Sequence, residues 1–186
     1  MDSPRLIVVQ GGSAVGKTTF TRIIARELGY DAIGKDHLKE LLYDTLGAPK
    51  DREDSRVYGR AATAALFAVA EQLLLTKKDI VIESAFHKGL AEKDISHLVA
   101  STGARVLQLY LFADPQTVAS RFNARIATGE RHHAHPDKPK QPEDFLQYGD
   151  TYGKLGIEPV IEIDTSKMSK EDYSVIIDEI KEVYRG

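Results

Sequence analysis

The sequence predicts an α/β domain in which helices cover both faces of a five-stranded parallel β-sheet, a three-layer sandwich. Short apolar runs of strand length alternate along the chain with longer segments whose apolar residues recur every three or four positions. The runs Leu6–Val9 and Ile80–Ile82 are apolar throughout instead of alternating with polar residues. Continuous apolar runs are typical of parallel strands that are buried on both faces.

Length and composition indicate one ordinary globular domain over residues 1–186. Hydrophobic residues make up 42% and charged residues 28%, and the net charge of −3 gives no general attraction to nucleic acid or an anionic membrane. The absence of cysteine excludes disulfides and agrees with a reducing compartment. The N-terminus lacks a signal-peptide pattern, and the longest apolar run, 61–70, is far shorter than the ~20 residues of a membrane span. We therefore expect a cytoplasmic protein without a membrane segment.

The N-terminal part of the chain is predicted to form two strand–helix units. The first strand, Leu6–Val9, is followed by a helix that ends before Gly29, a residue type common after helix ends. Residues 30–33 form the second strand, and a helix follows over about 36–46. Asp36 is expected to cap this helix.

The middle of the chain is predicted to form a long helix over 54–75, whose centre is apolar nearly all round and should be mostly buried. A continuous apolar strand over 80–82 then ends in Glu83. A helix over 90–100 and a strand over 105–111 follow.

The C-terminal part contains two helix-start signals and the last strand. Asp114 is a capping residue followed by a proline at the first helical position, and this helix is expected over 115–127. The last strand is 161–163. Ser169 and Asp172 resemble a capping box that opens the C-terminal helix.

A glycine-rich loop separates the first strand from the first helix. Residues 11–18 match the pattern G-x-x-x-x-G-K-[ST], and a strand–loop–helix context is the setting in which this pattern binds phosphate. The backbone N–H groups of such a loop turn toward an anion, and the helix N-terminus adds its positive dipole end. Lys17 is expected to reach the β- and γ-phosphates of a nucleoside triphosphate, and the Thr18 hydroxyl to ligate Mg²⁺. The predicted nucleotide-binding residues of this loop are Gly11, Gly12, Ser13, Ala14, Val15, Gly16, Lys17, Thr18 and Thr19.

Polar residues that follow a strand are the candidates for chemistry, because ligands of parallel α/β sheets lie beyond the carboxyl ends of the strands. Asp36 follows the second strand, and we predict that it is the general base that removes the proton of a hydroxyl acceptor. The alternative is that Asp36 only caps its helix. Lys39, one turn further on, either orients the acceptor or is a solvated surface lysine.

Glu83 ends the third strand beside the glycine-rich loop. A carboxylate there can hold the water shell of Mg²⁺, because this ion keeps several waters when it binds to proteins. The alternative is an ordinary carboxylate at a strand end. The predicted metal contacts are therefore Thr18 and, through water, Glu83.

A polar segment over about 128–142 is expected to be a mobile lid. It contains three prolines, three histidines and almost no apolar residues, so it should not pack into a core. Arg125 and Arg131 are predicted to stabilise the charge on the γ-phosphate when the lid closes, and Arg121 lies on the same helix face as Arg125. The alternative is a solvated basic face.

Two further patterns are rejected as sites of their own. Residues 76–79, Thr-Lys-Lys-Asp, resemble the guanine-reading motif of GTPases but precede a strand instead of following one, so we interpret them as a polar turn. His132, His133 and His135 lack the i, i+4 spacing of a helical metal site. We expect these histidines to contact phosphate or substrate in the closed lid.

Together, these residues resemble the small P-loop kinases of the AAA_33 or predicted-kinase group, which is related to zeta toxins, chloramphenicol phosphotransferase and the 5′-kinase module of polynucleotide kinases. The resemblance implies the P-loop NTPase fold with the adenylate-kinase-like strand order 2-3-1-4-5, ATP and Mg²⁺ as cofactors, a lid, and a catalytic aspartate at Asp36. It also implies that Arg121 lies near the adenine and that Thr165 lines the base pocket. The segments that carry the resemblance are 11–18, 34–40, 51–56, 59–62, 81–86, 121–125 and 129–132.

The chain departs from related sequences at three places. Residues 131–135 read Arg-His-His-Ala-His, whereas the group commonly has Arg-His-Pro-Gly-His after the lid glycine. Polynucleotide 5′-kinases usually carry arginine at the position of Lys39 and aspartate at that of Glu83. Lysine does not reproduce the fork-shaped phosphate contact of arginine, which weighs against a nucleic-acid acceptor.

We therefore predict an ATP- and Mg²⁺-dependent kinase that phosphorylates a hydroxyl of a small molecule. Its acceptor pocket is expected among residues 35–46, 51–60 and 86–88. Two alternatives stay open: a polynucleotide 5′-hydroxyl kinase, and a nucleotide-dependent switch or toxin-like protein. The sequence defines neither the acceptor nor the oligomeric state. The predicted catalytic residues are Asp36, Lys17, Arg125 and Arg131, and the predicted substrate contacts are Lys39, Arg60, Glu83 and Phe86.

Overall fold

The computed structural model of the protein describes residues 3–129, 132–135 and 137–185. Its centre is a sheet of five parallel strands in the order β2-β3-β1-β4-β5, which confirms the predicted fold class and strand order. The strands are β1 (Arg5–Gln10), β2 (Asp31–Gly34), β3 (Ile80–Glu83), β4 (Arg105–Phe112) and β5 (Val160–Asp164).

Helices lie on both faces of the sheet, and a short 3₁₀ turn, Pro142–Phe145, precedes the shortest of them. Within the described ranges, none of these helices has both the length and the apolar character needed to cross a membrane. The helices are α1 (Lys17–Leu28), α2 (Lys35–Leu46), α3 (Arg52–Leu75), α4 (Ala91–Thr102), α5 (Pro115–Ala127), α6 (Tyr148–Tyr152) and α7 (Lys170–Arg185).

Each face of the sheet has its own hydrophobic core, because successive side chains of a strand point to opposite faces. Ile7 and Val9 of β1 pack with α1, α5 and α7 on one face, whereas Leu6 and Val8 pack with α3 and α4 on the other. All four side chains are fully buried. Burial of each contributes about 1.5–3 kcal/mol, so β1 is firmly held up to the point where the glycine-rich loop begins.

Two glutamine side chains of the sheet are fully buried, and each holds a neighbouring segment of the chain. Gln10 Nε2 donates to the carbonyl oxygens of Phe86 and Gly153 at 2.8 and 3.0 Å, and Gln10 Oε1 accepts from Phe86 N at 2.8 Å. Gln108 of β4 binds the backbone of the 155–157 segment through three similar hydrogen bonds. The loop after β3 and the segment before β5 are thereby fixed to the sheet.

The prediction that Asp36 caps α2 is wrong. The helix begins at Lys35, and its N-cap is Gly34, which makes no side-chain capping hydrogen bond. Asp36 lies in the first turn, where a negative charge interacts favourably with the helix N-terminus. The alternative that Asp36 serves as the cap is therefore removed.

α3 differs from the prediction in its start and in its burial. Asp51 Oδ1 accepts hydrogen bonds from the backbone N–H groups of Glu53 and Asp54 at 2.8 and 2.9 Å, so the helix begins at Arg52. The expected burial of its centre is also wrong, since Val69 is 40% exposed. Only one side of α3 packs against the sheet, and the apolar residues on its other sides remain accessible.

The helix-start signals of the C-terminal part are confirmed. The carboxylate of Asp114 accepts from Thr117 N at 2.8 Å, and α5 ends where predicted. Ser169 and Asp172 make both hydrogen bonds of the capping box, at 2.7 and 3.4 Å. The sequence did not predict the 3₁₀ turn or α6.

The described residues between α5 and the 3₁₀ turn form neither helix nor strand. As expected, none of these described residues belongs to either hydrophobic core of the sheet, although Ala134 is only 3% exposed. Whether this segment moves as a lid stays a prediction.

Candidate active site

The glycine-rich loop leaves β1 and turns sharply into α1. Gly11 has a φ of +150°, and a Cβ atom at this position would overlap the carbonyl oxygen of Leu111 in β4. Gly16, the N-cap of α1, has a φ of +90°, which strongly favours glycine. These conformations curl the backbone between them, which is the form needed to direct N–H groups at an anion.

Lys17 begins α1, and its side chain folds back over the loop. Its Nζ donates a 2.7 Å hydrogen bond to the carbonyl oxygen of Gly12. Burial lowers the pKa of Lys17, while the negative charges of Glu83 and Asp36 act in the opposite direction. An ammonium group is therefore placed at the loop with two carboxylates near it.

Thr18 and Glu83 form an oxygen-rich corner beside the loop. Thr18 Oγ1 donates to Glu83 Oε2 at 3.1 Å, and Glu83 is 8% exposed. Burial raises the pKa of Glu83, although the positive charge of Lys17 opposes this effect. Gly34 lies so close that a Cβ atom there would be 3.1 Å from Glu83 Oε2. A hydroxyl and a carboxylate are the ligand types that Mg²⁺ prefers, so this corner fits the ion.

A cleft of about 90 Å³ brings together Lys17, Asp36 and Arg125, three of the four predicted catalytic residues. Asp36 from α2, Glu83 from β3 and Arg125 from α5 line it together with the loop. The carboxylate of Asp36 is half exposed, and its Oδ1 lies 3.6 Å from Lys35 Nζ. The loop residues in its lining are Ser13, Ala14, Gly16, Lys17, Thr18 and Thr19. We refer to this site as the phosphate cleft.

Arg121 and Thr165, implied as contacts of the nucleotide base, touch each other. The guanidinium of Arg121 donates to Thr165 Oγ1 at 3.1 Å and to its carbonyl oxygen at 2.7 Å. Thr165 Oγ1 donates to Val15 O at 2.9 Å. The loop after β5 is thus tied directly to the glycine-rich loop.

Two of the three histidines of the predicted lid lie against α2. The Nε2 atom of His132 is 3.1 Å from the Asp44 carboxylate, and that of His135 is 3.1 Å from the Glu40 carboxylate. The expectation that the three histidines contact phosphate or substrate in the closed lid stays a prediction. Arg131 lies outside the described residues.

A groove of about 830 Å³ lies between α3 and α4 and opens beside the phosphate cleft. Arg60 and Phe86, two of the predicted substrate contacts, line it. Lys39 does not line it, and its Nζ donates instead to Ser55 Oγ at 3.3 Å. We refer to this feature as the α3–α4 groove. Its lining comprises Lys35, Arg56, Gly59, Arg60, Thr63, Ala64, Phe67, Ala68, Glu71, Ser84, Ala85, Phe86, His87, Leu90, Ala91, Asp94, His97 and Leu98.

Two features near the site were missed by the sequence analysis. One is the wall of the groove that α4 supplies, since none of its residues follows a strand. The other is Tyr148, whose ring would meet a Cβ atom at Gly12 at 3.0 Å and whose hydroxyl accepts from Lys140 Nζ at 2.8 Å. The cluster of aromatic residues over 145–152 was the available signal for the second feature.

The fold and the site together define the class of protein to which the chain belongs. A parallel sheet of this strand order, with a phosphate-binding loop between β1 and α1, is that of the P-loop kinases, nucleotide-binding transferases. The chain belongs to the AAA_33 family, described as an AAA domain, whose sequence model matches residues 6–140. No curated protein matches the chain significantly.

Several solved structures share the fold. A protein from Chloroflexus aurantiacus J-10-fl, provisionally described as a kinase, is 29% identical with a TM-score of 0.87, covering 97% of this chain and 98% of that one. Kti12 of Chaetomium thermophilum, in complex with ADP-AlF3, is 20% identical with a TM-score of 0.64 and coverages of 95% and 97%. The APS kinase of Mycobacterium tuberculosis, in complex with AMPPNP and APS, is 15% identical with a TM-score of 0.59 and coverages of 97% and 99%. The last two show similarity of fold alone.

Proposed function

We propose that this protein is a kinase that transfers the γ-phosphate of ATP to a hydroxyl of a small molecule, with Mg²⁺ as cofactor and Asp36 as general base. The phosphate cleft is the observation that carries this proposal. Four separate elements bring Lys17, Thr18, Asp36, Glu83 and Arg125 to it. Such a set supplies positive charge, oxygen ligands for Mg²⁺ and a proton acceptor at one place.

In the proposed reaction the acceptor oxygen attacks the γ-phosphorus, the bond to the bridging β,γ-oxygen breaks, and ADP leaves. Asp36 takes the acceptor proton. Lys17 and Arg125 stabilise the charge of the transferring group, which is where most of the catalytic effect in phosphoryl transfer arises. Thr18 and, through water, Glu83 would hold Mg²⁺, which neutralises phosphate charge when bound.

The proposal also includes five further residues that the sequence analysis predicted as contacts of the nucleotide or the acceptor. We propose that Arg121 and Thr165 bind the nucleotide base, and that Arg60 and Phe86 contact the acceptor in the α3–α4 groove. Arg131 is proposed to close over the γ-phosphate. Two solved structures of this fold contain a nucleotide analogue or ADP, and one of them also contains APS, which supports a nucleotide and a small acceptor here.

The test is a phosphorylation assay with ATP, Mg²⁺ and a metabolite library, read by mass spectrometry. Asp36→Asn should bind ATP like the wild type but transfer phosphate about 10²–10⁴-fold more slowly, because the acceptor proton has no carboxylate to receive it. Lys17→Ala should lose both binding and transfer. Asp31→Asn, an exposed aspartate of β2 outside the cleft, is the matched control and should retain full activity.

Undiminished transfer by Asp36→Asn would remove Asp36 as the base. Calorimetry that detects no Mg²⁺-dependent binding of ATP to the folded wild type would overturn the kinase proposal itself. A 5′-hydroxyl oligonucleotide in the same panel tests the polynucleotide alternative, and binding without any transfer would favour the nucleotide-dependent switch.

A further inference from the structure

The α3–α4 groove meets the phosphate cleft at the carboxyl ends of β2 and β3. Lys35 and Ser84 line the groove, and their chain neighbours Asp36 and Glu83 line the cleft. The groove volume of about 830 Å³ falls within the range of roughly 300–1,000 Å³ for small-molecule sites. If the proposed function holds, this groove receives the body of the acceptor while its hydroxyl points at Asp36.

Part of the groove lining is apolar. Phe67 and Phe86 lie there with ring centroids 6.1 Å apart, Phe67 on α3 and Phe86 after β3. The hydroxyl of Thr63, in the same region, already donates to the carbonyl oxygen of Gly59 at 2.9 Å. The apolar residues of this region are Ala64, Phe67, Ala68, Phe86, Ala91 and Leu98.

Polar residues also line the groove, among them Ser84, His87, Asp94 and His97. Three of its charged side chains, however, already have protein partners. Arg56 and Arg60 each lie 3.2 Å from a Glu53 carboxylate oxygen. Glu71 Oε1 accepts from Ser101 Oγ at 2.7 Å. A polyhydroxylated sugar needs polar partners for most of its hydroxyls, because a buried hydroxyl without a partner is costly. An apolar body instead gains free energy from every methylene it buries against the two rings.

We infer that the acceptor is an alcohol carried on an aromatic or aliphatic body, and not a polyhydroxylated sugar. The transfer step of this inference rests on the proposed function. The binding of the body depends on the groove alone, so the two can be tested separately.

The experiment titrates a series of phenyl alcohols, from benzyl alcohol to 4-phenyl-1-butanol, into the full-length protein by NMR, with glycerol and sorbitol as polar counterparts. The affinity should rise up to about fourfold for each added methylene, the value expected for full burial. The polyols should show no saturable binding. The same compounds are then assayed as phosphate acceptors with ATP and Mg²⁺.

Two matched variants test whether the phenyl alcohols bind in the groove. Ala64→Trp puts a large side chain into the groove lining and should weaken binding of 4-phenyl-1-butanol at least tenfold. Ala61→Trp puts the same side chain on an exposed position of α3 outside the lining and should leave the affinity unchanged. Both alanines are exposed, so both variants should fold and bind ATP, which melting temperatures with and without ATP verify.

An affinity that does not change with chain length, or equal affinities of the two variants, would overturn the inference. Transfer to sorbitol but not to the phenyl alcohols would overturn it as well, while the proposed kinase activity would stand. Binding of the phenyl alcohols in the groove without transfer to any acceptor would instead overturn the proposed function and leave the ligand class of the groove in place.

Discussion

The carboxylate of Glu83 lies in the phosphate cleft almost without access to solvent, at 8% exposure. Thr18 Oγ1 donates to one of its oxygens, and Lys17 lies near it. Burial nevertheless dominates and raises the pKa of Glu83. The ionised carboxylate is therefore less stable in the folded protein than in the unfolded chain, which is expected of a group kept for binding a cation rather than for stability.

Glu83→Gln should make the protein without ligands more stable at neutral pH and reduce phosphate transfer at least tenfold. The amide retains an oxygen for Thr18 and removes the buried charge, so the free energy of unfolding should rise by about 1 kcal/mol. A gain of this size raises the melting temperature by about 2–4 °C in a chain of this length.

The gain in the free energy of unfolding of Glu83→Gln should decrease as the pH falls. Because the folded pKa of Glu83 is raised, the cost of ionising it is present above that pKa and disappears as the pH falls to the ordinary carboxyl range. The advantage of the variant should shrink over the same interval, as measured by thermal unfolding at several pH values. Glu179→Gln, an exposed change on α7, is the control, and a gain independent of pH would contradict the explanation.

At the scale of elements, Gln10 lies at the end of β1, directly before the glycine-rich loop. Its side chain connects this strand to two other parts of the site. Its side chain binds Phe86, which lines the α3–α4 groove, and Gly153, which directly follows α6. Gln108 makes equivalent bonds to a segment that does not line the groove. Substitutions of Gln10 and Gln108 can therefore be compared as test and control, because only the first glutamine binds a residue of the groove.

Gln10→Leu and Gln108→Leu should each lower the free energy of unfolding by about 3 kcal/mol, because each leaves three buried backbone groups without a partner. The corresponding loss in melting temperature is about 6–12 °C. Only Gln10→Leu should also weaken binding of 4-phenyl-1-butanol, since only Gln10 positions Phe86. Equal effects of both variants on this binding would show that Gln10 has a structural role alone.

Elements with local signals were predictable from the sequence. The strand–loop–helix unit around residues 11–18 and the start of α5 at Asp114 depend on glycine, proline and capping chemistry within a few residues. α6 was not predictable, because a five-residue helix has little stability of its own. It is positioned by the packing of Tyr148 near Gly12 and by the bond from Gln10 to Gly153, across 143 positions of sequence.

The residues of the candidate site also divide into those that the sequence predicts and those that only the packing of the fold brings together. The position of Asp36 and Glu83 at the phosphate cleft was predictable because Asp36 comes directly after Lys35, the residue that follows β2, and Glu83 ends β3. The capping role given to Asp36 failed because the pattern cannot distinguish a cap from a first-turn residue two positions further on. The α4 wall of the groove appears only when two helices that are distant in sequence pack side by side.

At the scale of the whole molecule, the proposed nucleotide site connects distant parts of the chain. Thr165 beyond β5 donates to Val15 in the phosphate loop and accepts from Arg121 of α5. A ligand that contacts these elements together binds only the folded chain. Ligand binding should therefore stabilise the fold as a unit.

ATP with Mg²⁺ at one hundred times its dissociation constant should raise the free energy of unfolding by about 2.7 kcal/mol. The melting temperature should rise by about 5–10 °C. Lys17→Ala should show almost no rise at the same concentration, and Asp36→Asn should show the full rise. A full rise in Lys17→Ala would contradict the placement of the triphosphate at the loop.

α2 has an unusual place in this fold, since every one of its residues is at least partly exposed. Its amide protons should therefore exchange with deuterium through local opening, at a free energy far below that of global unfolding. Substitutions along its outer surface should cost little stability even though the helix carries Asp36. Under the proposed function, evolution can thus redesign the neighbourhood of the acceptor hydroxyl, and with it the choice of acceptor, while the two cores of the sheet stay unchanged.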